Sequence, residues 1–245
     1  DGPLGVRLIV NIVPNPILNQ IKINPENAII SKGFIDKTFN KYYGKTLNLI
    51  ELQQNIKIIK KWYEDKGYSL ARVRSPERIS DNGIVQLNID EGIVADIKIR
   101  FIGADEKIRK GKTKEWVIRR ELKTTSGVVF NRKILESDIK RLYRTSLFND
   151  VKVSLSPDKV NTERIVITLD ISEQRTGSLT GGIGFSNAAG IFASAGLKES
   201  NALGRAWTTS LNINFGDYST TYNFSLFDPW IKGDKHRTAF RTNVF

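Results

Sequence analysis

The residues of this chain that come closest to a catalytic or binding motif are two Gly-Lys-Thr triplets, at residues 44–46 and 111–113. Such a triplet forms part of a phosphate-binding loop when another glycine stands five positions before its own glycine. Those positions hold Phe39 and Glu106. The first triplet also lies between two predicted helices, whereas a phosphate-binding loop follows a strand. We therefore predict that both triplets are turns or loops and bind no nucleotide.

The other chemically capable side chains are isolated from one another. Asp36 and the Asp90-Glu91 pair could act as acids or bases, but neither has a partner at a defined spacing. The chain has no cysteine, and its single histidine, His236, lies in a polar loop. This composition excludes thiolate metal sites, cysteine nucleophiles and multi-histidine metal centres. We predict that the chain is not an enzyme and uses no metal or cofactor.

Basic residues outnumber acidic ones, with 38 Lys and Arg against 26 Asp and Glu. The basic clusters at residues 57–61 and 107–114 could bind nucleic acid, but no basic-aromatic strand motif or recognition helix accompanies them. We therefore interpret them as solvated surfaces and predict no nucleic-acid partner. Attraction to anionic lipid or to acidic protein clients is the second interpretation.

The composition of the chain changes near residues 174–177. The residues before this point are rich in Ile, Lys, Glu and Asp, and those after it are rich in Gly, Ser, Thr, Asn, Ala and Phe. No apolar run reaches the roughly 18–20 residues of a transmembrane helix. The chain contains no methionine, so we expect it to be a piece of a longer protein.

Apolar periodicity predicts the same order of elements twice, strand, helix, helix, strand, strand. The first set comprises residues 17–23, 31–43, 49–66, 68–74 and 84–90, and the second comprises residues 94–102, 114–122, 135–146, 147–155 and 165–171. Gly67 ends the longest predicted helix, and Asn82-Gly83 predicts a hairpin. At a separation of about 80 residues, Ile59 aligns with Ile139 and Val73 with Val153.

The aligned copies predict two domains of one fold, at residues 15–91 and 92–174. A β-branched run at residues 6–13 occupies the place that the last strand holds in each copy. We therefore interpret residues 1–14 as the end of a preceding, truncated copy.

Residues 175–245 alternate apolar and polar side chains in segments of roughly 9–11 residues, the length of strands that cross a membrane in a barrel. The polar positions carry small, hydroxyl and amide side chains, whereas a solvated sheet would carry Lys and Glu. Aromatic residues such as Trp207 and Trp230 stand near the segment ends. These features favour the first strands of a membrane barrel, and a soluble β-sandwich is the alternative.

The pattern as a whole resembles the outer-membrane protein assembly factor superfamily of BamA-like proteins, most of all its cyanobacterial and plastid branch. The resemblance is carried by WVIRREL at residues 116–122, GVVFN at 127–131, DIKRLY at 138–143, LFNDVKV at 147–153 and FDPW at 227–230. It implies α+β POTRA repeats of order β-α-α-β-β, followed by the first strands of a transmembrane antiparallel β-barrel.

The resemblance also implies a function in assembling or translocating proteins at the outer membrane. The POTRA domains would lie in the periplasm, or in the intermembrane space of a plastid. They would bind unfolded outer-membrane or imported precursor proteins by strand addition, beside a lipid bilayer and accessory assembly proteins. A two-partner secretion transporter and a soluble periplasmic binding or scaffold module are the alternatives.

By analogy with the family, two sets of residues are the predicted sites. The client-binding edge strands are Leu70, Ala71, Arg72, Val73 and Arg74 in the first domain, and Val151, Lys152, Val153, Ser154 and Leu155 in the second. The resemblance also implies a barrel seam strand, where family members open sideways, with Leu179, Gly181, Ile183 and Phe185. Its glycines predict weak pairing.

Overall fold

A computed structural model describes residues 14–75, 79–187 and 190–245. The strand predicted at residues 6–13 lies outside these residues. The described residues form two compact units. The first unit contains residues 14–92 and 129–131, and the second contains residues 93–128 and 132–245. No helix in the described ranges is both long enough and apolar enough to cross a membrane.

The first unit packs two helices against a small sheet. Its elements are β1 (Gln20–Asn24), α1 (Lys32–Phe39), α2 (Leu49–Lys66), β2 (Arg72–Arg74) and β3 (Ile84–Asp90). Helix α2 has the predicted bounds. Asn48 caps its first turn by accepting a hydrogen bond from the Ile50 amide at 2.9 Å, and Gly67 ends it with a left-handed φ of 94°.

Within the described residues, the sheet of the first unit has the order β1-β3-β2, with β1 parallel and β2 antiparallel to β3. The core between sheet and helices is mainly apolar, with the buried Asn55 of α2 and one hydrogen-bonded group as polar members. The buried Tyr63 hydroxyl donates to Glu91 Oε1 at 2.6 Å, and the Ile29 amide donates to the same oxygen at 2.7 Å. Burial and this carboxylate raise the pKa of the Tyr63 phenol far above its usual range. Glu91 is thus a structural acceptor.

The predicted strand at residues 68–74 is longer than the observed one. Gly67 is followed by a turn in which the Ala71 amide donates to the Tyr68 carbonyl at 3.1 Å, so β2 begins only at Arg72. The assignment of Leu70 and Ala71 to an edge strand is therefore wrong. The Leu70 side chain packs against Gly92, where an added Cβ would lie 2.9 Å from Leu70 Cβ.

The α+β part of the second unit repeats the connectivity of the first. Its elements are β4 (Ile93–Ile102), β5 (Ile108–Arg109), α3 (Glu115–Arg119), α4 (Arg132–Arg144), β6 (Phe148–Pro157) and β7 (Arg164–Glu173). In the described residues its sheet has the order β5-β4-β7-β6, with β4 parallel and β6 antiparallel to β7. The short β5 is an addition that the sequence did not predict.

Helix α4 buries a carboxylate as well as apolar side chains. Asp138 is fully buried and accepts hydrogen bonds from the amides of Lys123 and Thr124 at 3.0 and 2.9 Å. It also pairs with Arg141, whose guanidinium donates in turn to the Glu121 carbonyl at 2.7 Å. Asp138 thereby fixes the segment that joins α3 to α4.

The rest of the second unit is an antiparallel sheet that we call the amphipathic sheet. Its strands are β8 (Gly177–Ser186), β9 (Gly190–Ala202), β10 (Trp207–Gly216), β11 (Thr220–Asp228) and β12 (Phe240–Val244). Among the described residues they follow one another in the order β12-β11-β10-β9-β8. The strand segments predicted for residues 175–245 are confirmed.

Side chains that face each other across the amphipathic sheet divide it into two chemically different faces. One row crosses every strand with Leu179, Leu197, Leu211, Phe224 and Val244 in register, and the neighbouring row on the other face carries Ser178, Lys198, Ser210, Ser225 and Asn243. The apolar row remains between 42% and 79% exposed. No described element covers the apolar face.

Candidate functional sites: an open sheet edge and an arginine pocket

Strand β6 forms an edge of its sheet and therefore has backbone groups that no neighbouring strand uses. The Val151 amide donates to the Tyr143 hydroxyl at 3.0 Å, which places that amide on the side away from β7. Pairing with β7 is regular from Asp150 to Pro157. Because alternate residues of a strand direct their amides to the same side, those of Val153 and Leu155 also face outward.

The position of a proline supports this assignment. Pro157 is two and four residues after Leu155 and Val153 in β6, so its backbone nitrogen faces the same side as theirs. A proline in a strand occurs where the missing N–H would point away from the paired strand. The side chains of Val153 and Leu155 are 39% and 43% exposed, whereas Val151 is buried. The free segment of this edge thus combines outward amides with accessible apolar surface.

The opposite edge of the same sheet is covered. The Val94 amide donates to the Val128 carbonyl at 2.8 Å, and the Gly127 amide donates back to the Val94 carbonyl. Arg119 donates to the Ile97 carbonyl at 3.0 Å, and β5 pairs with the last two residues of β4. Covered edges do not accept an added strand, so β6 provides the open edge of this sheet.

In the first unit, the edge strand at the predicted position is short. Strand β2 is an edge strand with Val73 buried, but it has only three residues. The other edge, β1, has five residues and borders a groove of about 200 Å³ against α1, lined by Ile21, Ile23 and Ile35 among others. Sequence reasoning missed β1 as an edge because strand order in a sheet depends on parallel pairing between distant segments.

The loop at residues 111–114, which contains the second Gly-Lys-Thr triplet, fastens the α+β part to the amphipathic sheet. Glu173 accepts from the Lys112 and Thr113 amides at 2.8 and 2.6 Å. The side-chain amide of the buried Asn201 donates to the Thr113 hydroxyl at 2.8 Å. The backbone amide of Lys114 donates to the Gly204 carbonyl at 2.8 Å. The triplet is a docking loop, which confirms the loop predicted at this position.

Replacing Gly204 by alanine is expected to open this junction. An added Cβ would lie 1.9 Å from the Lys112 carbonyl oxygen, and φ at this position is +71°. Gly233→Ala is the matched control, because its φ is +87° and no atom lies within 4 Å. We expect the control to cost about 1 kcal/mol through backbone strain alone and Gly204→Ala to cost distinctly more. Thermal unfolding and hydrogen exchange at the Lys114 amide measure both, and equal losses would contradict the docking role.

A pocket of about 550 Å³ lies beside this junction, and we call it the arginine pocket. Its walls come from the end of α3, the segment after α4, the residues that lead into β8, and the ends of β9, β10 and β11. Its charged lining residues are Arg120, Glu121, Arg144, Arg175 and Arg237. The pocket therefore has an excess of positive charge.

Arg120 is held rigidly in the wall of the arginine pocket. Its guanidinium lies 5.0 Å from the ring of Trp116 and 5.1 Å from the ring of Trp230, and Nη1 donates to the Trp230 carbonyl at 2.6 Å. The buried Nε has no hydrogen-bond partner among the described residues. Burial lowers the pKa of Arg120, and Glu121 and Asp228 oppose this shift.

The remaining arginines of the pocket differ in their partners. Arg237 lies 3.3 Å from Glu121 and 4.4 Å from the centre of the Trp230 ring. Arg144 and Arg175 are exposed, and neither makes an ion pair within the part of the chain that the structure describes. Sequence reasoning missed this pocket, because its residues are separated by up to about 117 positions and share no motif.

The predicted seam residues Leu179, Gly181, Ile183 and Phe185 lie together on the apolar face of β8, in register with β9. In the described residues β8 is an edge strand of the amphipathic sheet. An added Cβ at Gly184 would lie 2.6 Å from the Phe192 ring, so a side chain at this position requires that ring to move. The seam itself stays a prediction.

Comparison with known proteins identifies the two α+β regions. Residues 17–92 match the POTRA domain of ShlB type, and residues 98–174 match the POTRA family described as a surface antigen variable number repeat. The chloroplastic outer envelope protein 80 of Oryza sativa subsp. japonica is 28% identical over 244 residues, which cover 96% of this chain and 36% of that protein. The chain thus spans about a third of the length of the curated relatives it matches.

Two solved structures agree with these matches. The N-terminal domain of Omp85 from Thermosynechococcus elongatus has 36% identity and a TM-score of 0.64, over 72% of this chain and 74% of that one. BamA from Haemophilus ducreyi lacking POTRA domains 1–3 has 26% identity and a TM-score of 0.54, over 94% and 42% of the two chains. With its POTRA domains and its plastid, cyanobacterial and BamA relatives, this chain belongs to the Omp85 family.

Proposed function

We propose that this chain is part of an outer-membrane protein assembly or translocation factor whose POTRA domains bind unfolded clients by strand addition. The open edge of β6 is the observation that carries this proposal. An extended client segment would pair with the outward amides and carbonyls of Val153 and Leu155 and rest side chains on their exposed apolar surface. Backbone pairing is largely independent of sequence, as a general assembly factor requires.

We also propose that the amphipathic sheet is part of a membrane-embedded barrel in the outer membrane, with the POTRA domains on its periplasmic or intermembrane-space side. Its apolar face is exposed in every strand, with Ile183 at 89% and Phe224 at 42%. Exposure of so large an apolar surface to water is unfavourable, whereas lipid chains would cover it. This exposure argues against the alternative of a soluble scaffold module, and β8 would be the seam strand of the barrel.

Substituting Val153 by proline tests strand addition at β6. Proline removes an outward donor and leaves the β6–β7 ladder intact, so the POTRA fold should persist. Because one hydrogen bond contributes about 1 kcal/mol net, we expect crosslinking of an unfolded barrel-precursor peptide to a photoreactive residue at position 156 to fall about fivefold.

Two further substitutions serve as controls for this experiment. Val153→Thr keeps the β-branched shape and the donor, so it should crosslink like the unsubstituted protein. Ser154→Pro removes a donor that faces β7, so it should destabilise the domain itself. Unchanged crosslinking in a folded Val153→Pro protein would show that clients dock elsewhere, with β1 as the next edge to test.

A further inference from the structure

The arginine pocket has the chemistry of a site for carboxylates or other oxyanions. The Arg120 guanidinium carbon lies 5.0 and 5.1 Å from the centres of two indole rings, and Nη1 donates to the Trp230 carbonyl. In-plane N–H pairs are the groups that bind carboxylate oxygens in a bidentate manner. The buried Nε, which lacks a partner among the described residues, would gain one when an oxyanion binds.

The other arginines extend this binding capacity toward solvent. Arg144 and Arg175 line the same pocket, are exposed, and have no ion-pair partner in the described ranges. The one acidic lining residue, Glu121, already lies 3.3 Å from Arg237 and 3.9 Å from Arg120. An incoming anion therefore meets two uncompensated arginines before it reaches Arg120.

We propose that the arginine pocket is a second client-binding site, selective for acidic segments of the polypeptide that the protein handles. This inference rests on the proposed function, because it takes the ligand to be a client chain. It adds charge selectivity to a binding mode that is otherwise independent of sequence. An acidic segment would reach the pocket while a neighbouring segment pairs with a sheet edge.

The position of the pocket favours a peptide over a lipid headgroup. Thr208 and Phe227 line the arginine pocket and also the cavity over the polar face of the amphipathic sheet. That face carries Lys198 and Arg241 beside this cavity, with no acidic residue among its lining residues. The apolar face, which lipid would cover, is on the other side of the strands, so the pocket opens toward the polar side.

A binding measurement on the full chain in detergent tests this proposal with a fluorescent aspartate-rich peptide as the probe. We expect Arg144→Gln combined with Arg175→Gln to weaken binding about tenfold, since each charge pair is partly exposed. Lys159→Gln combined with Arg164→Gln is the control. Both residues are exposed and make no ion pair in the described residues. Arg164 begins β7, whereas Gln174, which follows the other end of this strand, lines the pocket. This control should change affinity less than about twofold.

Further measurements with a control peptide, the Val153→Pro protein and lipid vesicles distinguish a peptide site from the alternatives. An asparagine counterpart of the peptide should bind poorly, and Val153→Pro should leave binding of the acidic peptide unchanged even where it lowers strand crosslinking. Equal effects of the two double substitutions, or equal binding of both peptides, would overturn the proposal. If phosphatidylglycerol vesicles bind in a manner that needs Arg144 and Arg175 while the peptide does not, the pocket is a lipid site instead.

Discussion

Replacing Asp138 by alanine is expected to lower the free energy of unfolding of the second POTRA domain by about 3–5 kcal/mol. The side chain is fully buried, and its loss leaves two amides, those of Lys123 and Thr124, without their acceptor. It also leaves Arg141 without its charge partner. A change of this size is a large fraction of the stability of a typical domain, and chemical denaturation followed by circular dichroism measures it.

Glu136→Ala is the matched control for this substitution. Glu136 lies on the same helix and pairs with Arg132 at 2.8 Å, but its side chain is 53% exposed. An exposed pair of this kind contributes about 0.5 kcal/mol or less, so the control should unfold almost like the unsubstituted protein. Asp138→Asn should fall between the two, because one carbonyl oxygen remains as an acceptor. A loss under about 1 kcal/mol for Asp138→Ala would contradict a structural role for the carboxylate.

The adjacent residues Asp138 and Ile139 show what the sequence pattern could and could not predict. The spacing of Leu135, Ile139 and Leu142 predicts a helix with one apolar face over residues 135–146. The observed α4 begins three residues earlier and ends two residues earlier, and Leu135 and Leu142 are buried. The same spacing chose Ile139, which is only half-buried, and passed over Asp138. A carboxylate in a helical pattern normally predicts a solvent-exposed position. The burial of Asp138 depends instead on two backbone amides that lie 14 and 15 residues away in the sequence.

The strands of the amphipathic sheet were predictable for a related reason. Their alternation is local, so each strand could be found from its own residues, and only the register needed the structure. The junction was not predictable. Thr113 meets Glu173 and Asn201 across 60 and 88 residues, and Arg120 meets Trp230 across 110. Contacts of this kind depend on the packing of complete elements, about which a local pattern contains no information.

Replacing Leu211 by lysine is expected to have the largest effect on membrane insertion. Leu211 lies at the middle of β10, opposite Leu197 and Phe224 on the apolar face. A lysine on the lipid side of a barrel costs about 2–4 kcal/mol near the bilayer midplane. A membrane barrel closes with at least about eight strands. The experiment therefore uses the longer protein of which we propose this chain to be a part, refolded into lipid vesicles across a urea series.

Asn212→Lys supplies the matched control, one residue further along the same strand. Asn212 pairs with Gly196 and Asn223 on the polar face, where a barrel of this kind would hold water. The lysine ammonium there stays solvated, so insertion should change by less than about 1 kcal/mol. A soluble β-sandwich would also bury the side chain at position 211 and would give the same order of effects, but it would fold without lipid. The same urea series without vesicles is therefore the second control, and a sheet that folds there equally well would contradict the membrane assignment. The ratio of the two effects, measured with and without vesicles, tests the membrane assignment independently of client binding at β6 and of the arginine pocket.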